Sequence, residues 1–334
     1  MAYDRLSAGA ASFLRRESRH SPLHVGSLAL FEAAPFLDAH GRFRLDDVRD
    51  HVAGHLHRWP ALRRRVQPVP FGQGRPVWVD ADCFDLTYHV RLVALPRPGR
   101  EEQLHALMAR LQALPLDRRR PLWELWLVDG VEGDRVAMVQ KTHLALAHER
   151  GAAGALDAFL DGETPVPAVD APMWTGHKAP NNAALLARTL AERATRPTEM
   201  ARSARAALRG PRRALATVGR RSRPIIDIGS QLRYEVVRAI DAPETEVRAG
   251  VRRLDPSVAV TFETLAGPRQ LLGASLLEAF PSAPRDGAAL AVAALSHDGR
   301  TDIGVTAHRA ANGDLRALVD GLDRVFTDLG AAAG

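Results

Sequence analysis

Apolar residues recur at helical spacing in two segments of the first half of the chain. Residues 46–59 place Val48, Val52 and Leu56 on one face, and the pattern stops before a proline. Residues 101–114 repeat the spacing, with apolar side chains three and four positions apart. Because this spacing gathers apolar side chains on one face of an α-helix and proline cannot continue a helix, both segments are predicted to be amphipathic helices.

Shorter apolar stretches indicate β-strands. The most apolar of these in the first half of the chain are residues 24–32 and 135–143, and alternating residues at 85–90 predict another short strand. Residues 288–296 and 301–307 flank an Asp-Gly turn, which predicts a hairpin. Since strands and helices alternate with hairpins among them, we predict an α/β fold with α+β mixed sheets.

The composition changes twice along the chain. Residues 161–182 are rich in proline, glycine and asparagine, and residues 183–223 contain eleven arginines against two glutamates. We therefore predict an N-terminal lobe at 1–165, a linker with a basic helical segment at 166–230, and a C-terminal lobe at 231–334. The basic segment is either a surface for anionic lipid or coenzyme phosphates, or a solvated connector.

Charge and cysteine content narrow the function classes. The 334 residues carry a formal charge of +6, but the sequence has no motif typical of nucleic-acid binding, so we expect no nucleic-acid partner. Cys83 is the one cysteine, which excludes a disulfide framework and a cysteine metal cluster, and we expect no metal site. No signal peptide or membrane-length apolar segment is seen. We expect a cytoplasmic protein, with peripheral membrane contact as the open alternative.

Candidate chemistry concentrates in residues 136–154. An apolar strand runs into His143, a turn carries His148, and small residues then open a helix. A histidine at the end of a buried strand is well placed for proton transfer. His24 opens another strand and is interpreted as a packing histidine, and Trp123 is either a core anchor or a residue that contacts substrate.

Several strings resemble a known family. They are PLHVGSLALF at 22–31, PVWVD at 76–80, PLDRRRPLWE at 115–124 and LSHDG at 295–299. The chain resembles the bacterial wax ester synthase/diacylglycerol acyltransferase family, within the chloramphenicol acetyltransferase-like superfamily. The resemblance implies a two-lobed fold. Because the family's long central stretch has no counterpart here, the second lobe is expected to be truncated.

The family's signature is His-His-x-x-x-Asp-Gly preceded by lysine. Laid on this chain, Lys141 matches the lysine and His143 the first histidine, whereas Leu144 stands at the second histidine, His148 at the aspartate and Glu149 at the glycine. In the family the second histidine is the general base that takes a proton from the acceptor alcohol. General-base catalysis contributes about 10²–10⁴ in rate, and leucine cannot supply it.

The resemblance leaves three hypotheses open. The first is an O-acyltransferase of altered or reduced activity, with acyl-CoA as co-substrate, no other cofactor, an alcohol or diacylglycerol acceptor, His143 or His148 as base, and Lys141 and Trp123 binding substrate. The second is a non-catalytic homologue that binds acyl chains, a partner or a lipid surface such as a lipid droplet. The third is a different reaction in the cavity between the lobes, for which the sequence names no substrate.

Overall fold

A computed structural model describes most of the chain. The described residues are 3–19, 21–148, 151–162, 174–194, 232–240, 259–284, 290–308, 317–322 and 324. Within these ranges, no helix combines the length and hydrophobicity that crossing a bilayer requires. Most of the predicted basic segment at 183–223 lies outside the described residues.

Seven α-helices and thirteen β-strands are named in the described residues. The helices are α1 Ala8–Arg16, α2 Leu45–His55, α3 Leu86–His89, α4 Glu101–Ala113, α5 Leu144–Ala147, α6 Gly151–Asp157 and α7 Asn182–Ala194. The strands are β1 Tyr3–Arg5, β2 His24–Glu32, β3 Arg64–Gln67, β4 Val77–Asp80, β5 Val90–Ala94, β6 Trp123–Val131, β7 Arg135–His143, β8 Leu232–Ile240, β9 Ala259–Leu265, β10 Gln270–Leu271, β11 Ala274–Ser282, β12 Leu290–His297 and β13 Arg300–His308.

The centre of the fold is a six-stranded mixed sheet in the order β10-β11-β2-β7-β6-β5. Adjacent strands of this sheet are antiparallel, except for β5 and β6, which are parallel. All of β2 except its last residue is buried, and so is all of β7 except its first. Two strands buried on both faces explain the nearly continuous apolar stretches of the sequence.

Two smaller sheets accompany the central one. The first has the order β1-β4-β3, and Leu185 of α7 packs with Val69 and with Val77 and Val79 of β4. The second has the order β8-β13-β12-β9, with β9 parallel to β12. Strand β11, which lies in the predicted C-terminal lobe, pairs with β2 and so places part of that lobe in the central sheet.

Most of the predicted elements are confirmed, and one is wrong. Strands β2 and β7 have the predicted bounds, and the predicted hairpin forms with Asp298 and Gly299 at positive φ, as a tight hairpin turn requires. The strand predicted at 85–90 is wrong, because Leu86–His89 is helical. The Asp85 side chain accepts a hydrogen bond from the Thr87 amide at 2.9 Å, which begins a helical turn and delays the strand.

Candidate functional site

The histidine predicted from the sequence lies where β2 and β7 end side by side. His24 and His143 are register partners across the two strands, and their ring centroids are 5.8 Å apart. Both side chains are almost fully buried. His143 also begins α5, because its Nδ1 accepts a hydrogen bond from the Ala145 amide at 2.9 Å. The strand therefore ends in a helix cap made by the histidine itself.

Glu17, the C-cap residue of α1, contacts both histidines. Its Oε1 lies 3.2 Å from His24 Nε2 and 3.3 Å from His143 Nε2, and its Oε2 accepts a hydrogen bond from Arg118 at 2.7 Å. Burial alone would raise the pKa of the Glu17 carboxyl, but the contacts with His143 and His24 outweigh burial and hold that pKa far below its usual range. We call these four residues the Glu17 cluster, and its carboxylate is ionised at neutral pH.

The hydrogen bonds assign the ring protons of both histidines. Since an amide donates to His143 Nδ1, neutral His143 carries its proton on Nε2, next to Glu17. His24 Nδ1 lies 3.2 Å from the Gln112 carbonyl, which can only accept, so the proton of neutral His24 is on Nδ1. Burial, and then the charge of Lys141, lower the pKa of His24 to about 4.

Sequence reasoning missed Glu17 and interpreted His24 only as a packing residue. The pairing of His24 with His143 depends on strand register, and Glu17 reaches them from a helix outside the sheet. A close approach beside them requires Gly26, since a Cβ there would lie 2.2 Å from both the Gln112 side-chain nitrogen and the Gln140 carbonyl oxygen. A glycine within an apolar strand was the one available signal of such an approach.

Leu144 is the first residue of the short helix α5, and His148 directly follows its last residue. Leu144 is half-buried and packs with Val25 and Ala147 in a small apolar cluster. His148 is exposed and rests on α1, where its ring meets Phe13 edge-on at 5.2 Å and its Nε2 would be 2.5 Å from a Cβ at Gly9. The structure thus places His143 in the Glu17 cluster and His148 against α1.

Lys141 is fully buried two residues before His143. Its ammonium group donates to the carbonyl of Leu111 at 2.8 Å and to that of Leu114, at the C-terminal end of α4. Burial lowers the pKa of Lys141 to about 8, against the opposing effect of Glu124, so the side chain stays mainly protonated at neutral pH. A cation at this position stabilises the carbonyl end of the helix. The predicted contact of Lys141 with substrate stays a prediction.

Trp123 is a core residue. It is fully buried, its Nε1 donates to the Leu62 carbonyl at 2.7 Å, and its ring stacks on His89 with centroids 4.4 Å apart. Phe159 packs on the indole at 5.1 Å. The structure thus places Trp123 as the core anchor considered in the sequence analysis, and its predicted role in substrate binding stays a prediction.

A small crevice lies beside His24. His24, Gln112, Ser282 and Thr306 are among the residues that line it, so its walls come from β2, α4, β11 and β13. The crevice has room for about 20 Å³, which is about one water molecule. This crevice is too small for an acyl chain. It places polar side chains beside His24, where the six-stranded and four-stranded sheets meet.

Comparison with known proteins relates both sequence and fold to acyltransferases. The family profile described as "Wax ester synthase/diacylglycerol acyltransferase catalytic domain" matches residues 6–260. A protein of Mycobacterium tuberculosis (strain ATCC 25618 / H37Rv) named "Probable diacyglycerol O-acyltransferase tgs3" is 34% identical over 249 residues, which cover 75% of this chain and 88% of the relative.

Two solved structures share the fold. The wax ester synthase/diacylglycerol acyltransferase from Marinobacter aquaeolei VT8 matches with a TM-score of 0.61 and 18% identity, covering 99% of this chain and 100% of that one. A variant starter condensation domain of the rhizomide synthetase RzmA, in complex with C8-CoA, matches with a TM-score of 0.53 and 12% identity, covering 99% and 95%. At these identities the likeness shows the fold, and it confirms the predicted mixed α/β architecture of the chloramphenicol acetyltransferase-like type.

Proposed function

Because the chain belongs to the wax ester synthase/diacylglycerol acyltransferase family, we propose that it binds a fatty acyl-CoA and transfers the acyl group to an alcohol or diacylglycerol at a reduced rate. The resemblance seen in the sequence is confirmed by the family match. In this reaction the acceptor oxygen forms a bond to the thioester carbonyl carbon, the carbon–sulfur bond breaks, and the hydroxyl proton ends on the CoA thiol. A solved structure of the same fold contains C8-CoA, which supports acyl-CoA as the donor.

The observation that supports the proposal is the ordered, buried end of β7, which carries no histidine at the position where the family has its general base. His143 and Lys141 lie at the end of β7 with buried partners, and by the resemblance Leu144 stands where the family has its general base. Holding donor and acceptor together still lowers the barrier, because correct positioning replaces a bimolecular encounter. A missing general base lowers the rate by about 10²–10⁴, so the expected activity is slow rather than zero.

The predicted base role of His143 or His148 forms an alternative version of the same activity. In His143 one ring nitrogen accepts from the Ala145 amide and the other faces Glu17, so a proton acceptor there needs a rearranged ring. His148 is exposed, but its ring lies against α1. Replacing both with alanine abolishes turnover in this version and leaves it slow in the version without a base.

The engaged nitrogens of His143 also favour a second candidate function. A homologue that binds acyl chains or acyl-CoA without transferring them needs the fold and the corner but no proton acceptor. It would show saturable binding of acyl-CoA and no ester formation. Contact with a partner or a lipid surface belongs to this candidate.

The substitution Leu144→His distinguishes slow acyl transfer from binding without transfer, and Leu144→Asn serves as a polar control that is a poor base. The measurement is ester formation by purified protein from palmitoyl-CoA with hexadecanol or diolein. We expect slow ester formation by the unaltered chain and a rise of at least about tenfold in Leu144→His only, as part of the gain that a general base supplies. Binding without turnover in every variant supports the second candidate, and the absence of acyl-CoA binding refutes both.

Peripheral contact with a membrane or lipid droplet also stays a prediction. It rests on the arginines of 183–223, of which the structure describes the α7 helix, where Arg188 is exposed and Leu185 is buried. Co-flotation with anionic vesicles that is lost at high salt is the expected result, since surface charge drives such binding. Equal binding to neutral vesicles would contradict a role for the arginines.

A further inference from the structure

Three metal-ligating side chains meet away from the Glu17 cluster. His51 and His55 lie one turn apart on α2, and Asp161 lies beyond α6, in a bridge where its backbone exchanges hydrogen bonds with Gln270 at 2.9 and 3.1 Å. The three residues thus connect a helix of the first half of the chain with strand β10 of the second. All three side chains are about nine-tenths buried.

The ligand atoms converge. His55 Nε2 lies 2.8 Å from Asp161 Oδ1, and His51 Nδ1 lies 3.8 Å from Asp161 Oδ2. The two rings stack with centroids 4.1 Å apart and planes 19° from parallel. One ligand atom from each residue falls within 4.8 Å of the other two, so that small side-chain movements bring all three to a single ion.

The remaining ring nitrogens show which atoms are free to coordinate. His51 Nε2 lies 3.0 Å from the Phe159 carbonyl, and His55 Nδ1 lies 2.8 Å from the His51 carbonyl. A carbonyl only accepts, so both nitrogens carry hydrogens, and the lone pairs of the neutral rings are on His51 Nδ1 and His55 Nε2. Both face the carboxylate of Asp161. Histidines that bind metals almost always donate their other N–H in this way, which fixes the ring and the tautomer.

Charged and titratable groups surround the three side chains. Burial, and then the neighbouring His55, lower the pKa of His51. Arg58 donates to the Leu160 carbonyl at 2.8 Å, next to Asp161, and its charge opposes a cation. Without an ion, two lone pairs face a carboxylate unless one ring takes up a proton, and a divalent cation satisfies all three groups at once.

We propose that His51, His55 and Asp161 bind Zn²⁺, with water as the fourth ligand. Two imidazole nitrogens and a carboxylate oxygen form a donor set typical of zinc, whereas magnesium and calcium prefer oxygen alone. The bound ion fastens α2 to the bridge between Asp161 and Gln270 and so ties strand β10 to the first half of the chain. The sequence-based expectation of no metal site considered cysteine clusters and not this pair of histidines.

Titration of untagged, chelator-treated protein with Zn²⁺ in a calorimeter tests the proposal, with Mg²⁺ as the comparison ion. We expect one saturable Zn²⁺ site, a higher Tm with zinc, and no response to magnesium. Replacing zinc with Co²⁺ should give the visible absorption of a four-coordinate ion. No saturable site, or equal responses to both metals, would overturn the proposal and leave the contact between His55 and Asp161 as a metal-free one.

Two variants and a matched control assign the ligands. Asp161→Asn and His51→Ala should weaken Zn²⁺ binding by more than the roughly 10–100-fold that loss of a ligand's hydrogen-bond partner costs. His57→Ala removes an exposed histidine just beyond α2 and should leave binding unchanged. Asp161→Asn keeps the side-chain shape, so it is expected to fold even where His51→Ala does not. Unchanged zinc binding in Asp161→Asn would refute this assignment of the site.

Discussion

The substitution Glu17→Gln tests whether the Glu17 cluster stabilises the fold. It removes the negative charge between His24 and His143 and leaves an amide next to Arg118. Breaking a buried ion pair by changing one partner costs about 3–5 kcal/mol. Arg118 is 47% exposed and water screens that contact, so we expect a loss of about 2 kcal/mol in the free energy of unfolding at pH 7.

The pH dependence of that loss has a definite sign. The pKa of Glu17 is lowered in the folded protein from its ordinary value of 4.5, so the stabilisation is present above pH 4.5 and is lost as pH falls. Below that point each pH unit removes about 1.4 kcal/mol from an unscreened group. At pH 3 the stabilisation by Glu17 would fall by about 2 kcal/mol without screening, and solvent screening reduces this loss to about 1 kcal/mol.

Urea unfolding followed by circular dichroism at pH 7, 4 and 3 measures the effect. The stability difference between the unaltered chain and Glu17→Gln should shrink below pH 4.5. Glu192→Gln is a matched control, because its ion pair with Arg5 lies at the surface, where such pairs contribute about 0–1 kcal/mol. A difference for Glu17→Gln that stays constant down to pH 3 would refute the ionised carboxylate as its source.

Three further outcomes are expected in the same unfolding assay. Lys141→Met should cost about 2–3 kcal/mol, because it leaves buried carbonyls at the end of α4 without a donor, and a stable variant that only loses acyl-CoA affinity would contradict this role. Trp123→Phe should cost about 1–3 kcal/mol through the unpaired Leu62 carbonyl, and a loss well below 1 kcal/mol would contradict that hydrogen bond. Gly9→Ala should raise the free energy of unfolding by up to about 1 kcal/mol only when combined with His148→Ala, because the His148 ring occupies the space that the new methyl group needs. An equal gain in the single variant would exclude this contact.

Sequence patterns predicted the central sheet well because its strands are buried and bounded by turns. Strands β2 and β7 and the hairpin of β12 and β13 follow directly from apolar stretches and an Asp-Gly turn. The segment at 85–90 was mistaken for a strand because alternation over six residues also fits a single helical turn opened by an aspartate. Local patterns therefore decide long elements better than short ones.

The candidate site was predictable only as far as a motif or a local spacing reveals it. His143 was found because it ends an apolar strand, while Glu17 was missed because helix docking, rather than any local pattern, brings its carboxylate to the ring. His51 and His55 have the spacing of neighbours on a helix, but Asp161 joins them from more than a hundred positions away. Contacts across such separations depend on the whole fold.

The packing around Leu144 explains how the corner remains intact without a general base. Leu144 is half-buried beside Val25 and Ala147, and its backbone amide donates to the Leu23 carbonyl at 2.8 Å, a bond that any side chain but proline preserves. The cap made by His143 also depends on its own ring rather than on its neighbour. Exchange between leucine and histidine at position 144 thus changes the proton chemistry while the hydrogen bonds of the corner persist, which is why Leu144→His is expected to fold and to report on activity alone.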